Sequence, residues 1–320
     1  MPARPALRIA TTDYHTAGEP FRIVVSGVPP LPGATILEKR AFALGHLDEV
    51  RRLLVNEPRG HADMYGCFVT EPEDAGAELG VVFFHNAGYS TACGHGTIAL
   101  VTWALESGRL PVTGAETRVV VDVPSGRLDT VARVSGGDVT SVRFRNVPSF
   151  VHARGLMAAG RRVDVAFGGA FYAITPERVV AANLSRLIQL GREIKRDLEA
   201  GHAIVHPLEP QLRDIYGVIF TDGDTNVTVF ADGEVDRSPC GSGTSARLAL
   251  LDATGELERG QVLVHRGIVG TAFRAQVVGE TKVGGVAAVV TEVEGSAHRT
   301  GEHSFILEPE DELGTGFLLR

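Results

Sequence analysis

The chain is expected to be an α/β protein of two similar lobes facing each other across a cleft, and three observations lead there. Strand-like and helical segments alternate along all 320 residues, punctuated by 38 Gly and 16 Pro. A seven-residue motif occurs twice, 147 positions apart. Each copy occupies the same place in a strand, short loop, helix unit.

The segments follow from pattern. Residues 117 to 151, TRVVVDVPSGRLDTVARVSGGDVTSVRFRNVPSFV, alternate apolar and polar side chains and break at Ser125-Gly126 and Gly136-Gly137-Asp138. This predicts a run of strands joined by tight turns. A second β-rich stretch is predicted over about 262 to 307. Helices are predicted at 46–55, 97–107, 177–200 and 244–256, the last stopping at or just after Gly255. The repeat reads CGHGTIA at 93–99 and CGSGTSA at 240–246, identical at five of seven positions. The apolar runs LGVVFFHN and NVTVFADG precede the two copies, and LVTWALESG and RLALLDATG follow them. This divides the chain into a first lobe, 1–152, carrying Cys93, and a second, 153–304, carrying Cys240. Residues 305–320 form a C-terminal segment expected to pack back on the first lobe.

Bulk composition excludes several classes. Hydrophobic residues make up 44% and charged residues 22%, enough apolar material for substantial cores. The net charge is −8 with no long run of one sign, which argues against nucleic acid and against an anionic membrane surface. No stretch reaches the roughly 18 apolar residues of a membrane span. The first twenty residues hold no apolar signal core. A cytoplasmic protein is the simplest expectation. Three cysteines are too few for a disulfide framework and should be thiols in a reducing compartment. Pyridoxal phosphate chemistry needs a lysine held in a site. The only lysines, Lys39, Lys195 and Lys282, read as surface charge. No cofactor is expected.

The repeated motif has a chemical reading. Glycines beside the cysteine let backbone approach a ligand closely. First-turn amides of a helix have no internal partner and attract anions such as a carboxylate. The same field is expected to lower the thiol pKa. One such motif would suit a nucleophile. Two opposed motifs would place one sulfur on each face of the α-carbon of a small amino acid whose carboxylate lies between the helices. A thiolate would take the α-proton from one face while a thiol donates to the other. Such a pair titrates as a coupled unit. Other readings stay open: zinc held by Cys93 with His95 or His85, a redox disulfide, a peroxide-reactive thiol, or an amino-acid binding protein that closes without turnover. The Gly-x-Gly is not a full dinucleotide fingerprint. Cys67, in MYGCFVT, reads as a small buried hydrophobe.

At these residues the chain resembles the proline racemase family, which includes proline racemases, 4-hydroxyproline 2-epimerases and trans-3-hydroxy-L-proline dehydratases. The segments that carry the resemblance are DYHTAGEPFRIV (13–24), EPRGHADMYG (57–66), HNAGYSTACGHGTIAL (85–100), FGGAFYA (167–173), DRSPCGSGTSA (236–246) and FILEPEDELGTGFLL (305–319). The resemblance implies the diaminopimelate-epimerase-like fold, two lobes each made of a mixed sheet wrapped around a central helix, and a homodimer. It implies that Cys93 and Cys240 are the catalytic pair, and that the amides of Gly94, His95, Gly241 and Ser242 hold the substrate carboxylate. It implies that His95 and Asp236 contact the ring nitrogen and that Tyr65 and Phe230 line the ring pocket. A carboxylate four residues before Cys240 is also suited on chemical grounds to a secondary ammonium. His15, Thr16 and Glu19 match family positions, but chemistry assigns them no role.

The branch of the family turns on one residue. Dehydratases of the family carry Thr where this chain has Cys240, because loss of a 3-hydroxyl needs a base on one face only. Cys240 therefore points to a cofactor-independent racemase or epimerase acting on proline or hydroxyproline, an isomerase with a small imino acid as its partner. EPRGHADMYG, HNAGYST and Ala170 look more like the dehydratase branch. Dehydration of trans-3-hydroxy-L-proline is the alternative expectation.

Overall fold

The computed structural model describes residues 6–319. The first half runs β1 (Leu7–Thr16), β2 (Glu19–Ser26), α1 (Ile36–His46), α2 (Asp48–Val55), β3 (Tyr65–Thr70), β4 (Leu79–His85), β5 (Gly88–Tyr89), α3 (Gly94–Glu106), β6 (Glu116–Val123), β7 (Gly126–Ser135) and β8 (Asp138–Arg145). The second runs β9 (Phe150–Ala158), β10 (Arg161–Phe167), β11 (Phe171–Pro176), α4 (Leu184–Gly201), β12 (Ile215–Asp222), β13 (Thr225–Phe230), β14 (Glu234–Asp236), α5 (Gly241–Thr254), β15 (Leu263–Arg266), β16 (Ala272–Val283), β17 (Val286–Gly295) and β18 (Ala297–Leu307).

The halves repeat one connectivity. An antiparallel pair (β1–β2, β10–β11) is followed by a helical crossover to a parallel strand (β3, β12). An antiparallel neighbour follows (β4, β13), then a second crossover through the cysteine and its helix to another parallel strand (β6, β15). An antiparallel meander closes each unit. Each half gains an outer strand, and for the first half that strand comes from the far end of the chain. Strand β9 pairs with β10, and β18 leaves the second half to pair with β1. The pairing covers what would otherwise be an open sheet edge. Strands β8 and β17 join the halves.

Helices α3 and α5 lie inside their halves, α3 buried from Gly94 to Leu105 and α5 from Gly241 to Leu250. A helix apolar all round must be enclosed, and the short side chains at the motif end let the strands close over it. Cys67 is fully buried in this core.

Three expectations need correction. The predicted helix at 177–200 starts only at Leu184. Glu177 N–H donates to Thr221 O (3.1 Å) and Val179 N–H to Asp222 Oδ2 (3.2 Å), which tie 177–180 to β12 as extended chain. Helix α1 was not anticipated, although Thr35 and Glu38 form a reciprocal capping box at its start. Lys39 is not surface charge: it is 4% exposed, and its Nζ donates to Glu71 O at 2.6 Å. Lys195 is half-buried, with Nζ on Ala231 O at 2.9 Å. At the C-terminal end of α5, Gly255 terminates the helix in the left-handed conformation (φ 72°), as expected.

Candidate active site

Cys93 and Cys240 are the N-cap residues of α3 and α5. The two helices meet end to end. A Cβ added to Gly94 would lie 2.5 Å from Gly241 Cα, and one added to Gly241 would lie 2.7 Å from Gly94 Cα. No other residue type fits at either position without parting the halves. The second glycine of each motif has a different job. A Cβ on Gly96 would sit 2.7 Å from Cys93 Sγ, and one on Gly243 would sit 2.9 Å from Cys240 Sγ. Those glycines leave room for the sulfurs. Thr97 and Thr244 donate their backbone N–H to Cys93 O (3.0 Å) and Cys240 O (2.7 Å), closing the first turns. The Cys-Gly-x-Gly-Thr pattern is thus a recipe for two helix mouths pressed together with a thiol at each. They are not identical, since Cys93 is extended (φ −153°) and Cys240 is in the left-handed region (φ 63°), which non-glycine residues seldom adopt.

The remaining expected site residues gather around this junction. Gly96 N–H donates to Cys93 Sγ (3.3 Å), and His95 Nδ1 lies 3.5 Å from the same sulfur. The His95 ring packs edge-on against Tyr65 (5.0 Å) and Phe21 (5.6 Å), and burial drives its pKa down to about 3, so it is neutral. Thr16 Oγ1 donates to His95 O (2.9 Å), which ties β1 to the first turn of α3. His15, by contrast, accepts from Gly18 N–H (3.3 Å) in its own turn. Ser242 Oγ is 2.7 Å from Tyr172 OH, and that hydroxyl is 3.7 Å from Cys240 Sγ. Tyr65 and Phe230 are ring neighbours (5.8 Å).

Asp236 is buried and accepts from Ser238 N–H (2.8 Å). Burial raises its pKa to about 6. Glu19 is fully buried close by. Its Oε2 accepts from Arg237 N–H (2.7 Å), while its Oε1 has no hydrogen-bond partner among the described residues. Burial, and then the charge of Asp236, hold Glu19 well above the usual carboxylate range. Arg237 also reaches Asp63 Oδ2 (3.1 Å). The neighbourhood is rich in carboxylates for one arginine, an electrostatic arrangement that favours a cation.

One electrostatic expectation fails. The helix mouths do not lower the thiol pKa values. Burial raises Cys93 well above an ordinary thiol and pushes Cys240 up to about 12, with Asp236 adding to both. Desolvation of the charged form outweighs the first-turn amides here.

Several residues escaped the sequence reading. Ser90, Tyr172 and Tyr216 place hydroxyls beside the junction, and Tyr65 OH donates to Ser90 Oγ. His85, considered above as a zinc ligand, gives its Nδ1 to Glu234 Oε1 across the halves (3.2 Å). Ser90 had a signal, standing three residues before Cys93. The tyrosines had none, because strand alternation does not say which buried face meets a cleft. A cleft of about 870 Å³ lies outside, between α1 and β5 on one side and β11, α4 and β12 on the other. Ser90, Ala170 and Tyr216 form part of its wall, and Arg40, Arg192, Lys195 and Arg196 line its mouth.

The duplicated two-lobe fold brings a cysteine to each of two abutting helix N-termini. The chain belongs to the proline racemase family: the family model described as "Proline racemase" matches residues 11–318. Trans-3-hydroxy-L-proline dehydratase of Bacillus cereus is 46% identical, over 97% of each chain. The 3-hydroxyproline 2-epimerase of Burkholderia multivorans is also 46% identical, over 98% of each. Among solved structures, a hydroxyproline epimerase from Agrobacterium vitis with bound trans-4-hydroxy-L-proline superposes with a TM-score of 0.92 at 31% identity, covering 98% of this chain and 96% of its own. The expected fold, two lobes with sheets wrapped around central helices, is the one found. The relatives' names divide between isomerase and lyase.

Proposed function

We propose that the protein is a cofactor-independent two-base epimerase inverting the α-carbon of proline or a hydroxyproline, the 3-hydroxy compound being the one in the names of the two 46% identical relatives. The observation that carries this is the pair of cysteines at the N-termini of two helices whose glycines touch. A carboxylate bridging the unpaired first-turn amides of both helices puts its α-carbon between the two sulfurs. The substrate's secondary ammonium goes to Asp236, in the carboxylate-rich corner beside Cys240. That cation offsets the negative charge which, with burial, holds both thiols protonated, so thiolate formation is coupled to substrate binding. One sulfur takes the α-proton and the other returns a proton to the opposite face. Preorganised amides and exclusion of water stabilise the carbanion.

A second reading is dehydration of trans-3-hydroxy-L-proline. It is favoured by the dehydratase names among the relatives and by small Ala170, packed in one cluster with Cys240 and Tyr172. In that case a thiolate takes the α-proton, the C–H electrons form the C2=C3 bond, and the 3-hydroxyl leaves with a proton as water. The enamine then tautomerises to the cyclic imine.

The two readings separate in D₂O. The protein is incubated with L-proline, trans-4-hydroxy-L-proline and trans-3-hydroxy-L-proline, following α-deuteration, optical rotation and imine. Inversion with α-deuteration is expected, together with its loss in Cys240→Thr. Imine as the sole product from the 3-hydroxy compound, or full epimerisation by Cys240→Thr, overturns the primary reading.

A further inference from the structure

The ring of proline is hydrocarbon apart from its nitrogen, and a wall matched to it would carry only apolar groups. The wall here carries hydroxyls. Tyr65 comes from β3 in the first half, Ser90 from the loop before Cys93, and Tyr216 from β12 in the second half. Tyr65 OH donates to Ser90 Oγ, and the Tyr65 and Tyr216 oxygens are 3.0 Å apart. A phenol has one proton. With the Tyr65 proton given to Ser90, Tyr216 donates to Tyr65. The relay therefore runs Tyr216 to Tyr65 to Ser90, and the Ser90 hydroxyl is left with a proton that has no acceptor among the described residues.

The position of the relay ties it to the thiols. The Tyr65 ring packs edge-on against His95 (5.0 Å), which touches Cys93. The Tyr216 ring packs edge-on against Tyr172 (5.9 Å), whose hydroxyl faces Cys240. Phe230 lies against both relay rings (5.8 and 5.6 Å). Burial holds both phenols protonated, so they remain donors over the working pH range. A buried donor without an acceptor is unfavourable, and a ring hydroxyl on the substrate would satisfy it.

We propose that the Tyr216–Tyr65–Ser90 relay selects ring-hydroxylated imino acids over proline by hydrogen bonding the ring hydroxyl. This rests on the reading that an imino acid is held between Cys93 and Cys240. A site built to bond a substrate hydroxyl discriminates strongly against the analogue lacking it.

The test compares kcat/KM for α-deuteration of L-proline, trans-3-hydroxy-L-proline and trans-4-hydroxy-L-proline by the wild type, Ser90→Ala, Tyr65→Phe and Tyr216→Phe. The readout is the ratio of the better hydroxylated substrate to proline, in which any common loss cancels. The wild type should prefer a hydroxylated substrate. Ser90→Ala, which removes the terminal donor, should lower the ratio about tenfold, and Tyr65→Phe, which breaks the relay, should also lower it. Tyr216→Phe leaves the terminal donor in place and should lower it least. A Ser90→Ala ratio within about threefold of wild type, less than one ordinary hydrogen bond, overturns the proposal, as does a wild type that prefers proline. A wild type that deuterates none of the three overturns the functional reading itself.

Discussion

Gly94→Ala is the most informative single change at the helix junction. The new methyl would begin 2.5 Å from Gly241 Cα and 3.0 Å from the Phe144 ring. Carbon atoms in contact settle at roughly 3.5–4.0 Å, so the helix mouths must part by about 1 Å. Neither neighbour is a flexible side chain that can swing away. Overpacking of this kind costs about 1–3 kcal/mol. The catalytic consequence should be larger, because a misplacement of about 1 Å lowers a rate by roughly 100-fold, and here it moves both thiols and both sets of first-turn amides. Gly45→Ala is the matched control: it lies within α1, and an added Cβ would meet no described residue within 4 Å. It should stabilise the fold by about 0.5–1 kcal/mol with unchanged turnover. Urea unfolding and α-deuteration measure the two effects. A Gly94→Ala protein with wild-type stability and wild-type exchange would refute the end-to-end contact.

Asp236 should set an acid limit on activity. In the proposed binding mode it is ionised to hold an ammonium, so kcat/KM should fall as pH drops through about 6. For stability the sign is opposite. The folded pKa is raised above the ordinary 3.8, so Asp236 favours the fold below about pH 4, and that contribution is lost as pH rises to about 6. Asp236→Asn should therefore unfold at higher urea than wild type at pH 7, match it near pH 3, and lose substrate affinity; lower stability at pH 7 would contradict the assigned cause. Cys67→Ala should cost about 1 kcal/mol, as for loss of a small buried group, and leave the kcat for α-deuteration unchanged. A large fall in kcat would place Cys67 in the chemistry.

Much of the molecule was legible because its signals are local. The two β-rich stretches showed as period-two alternation, and Gly255 marked the end of α5. The Thr35–Glu38 capping box is an equally local mark of the start of α1. The lysines were misjudged for a different reason. Lys39 is a charged residue whose partners, the carbonyls of Glu71 and Pro72, are far away in sequence. No window around residue 39 contains them. The start of α4 was misplaced likewise, because Glu177 and Val179 are held by β12 rather than by their neighbours.

The site divides in the same way. A seven-residue repeat in a repeated strand-loop-helix setting is sufficient to place Cys93 and Cys240 at helix N-termini, because the geometry of a helix mouth is encoded within a few residues. That Gly94 and Gly241 touch, that Tyr216 from one half completes a hydroxyl relay with Tyr65 and Ser90 from the other, and that the thiols are raised rather than lowered in pKa were decided only by the packing. Contact between distant segments depends on how the sheets close around the helices. Desolvation depends on everything that surrounds a group at once, and a linear motif carries neither.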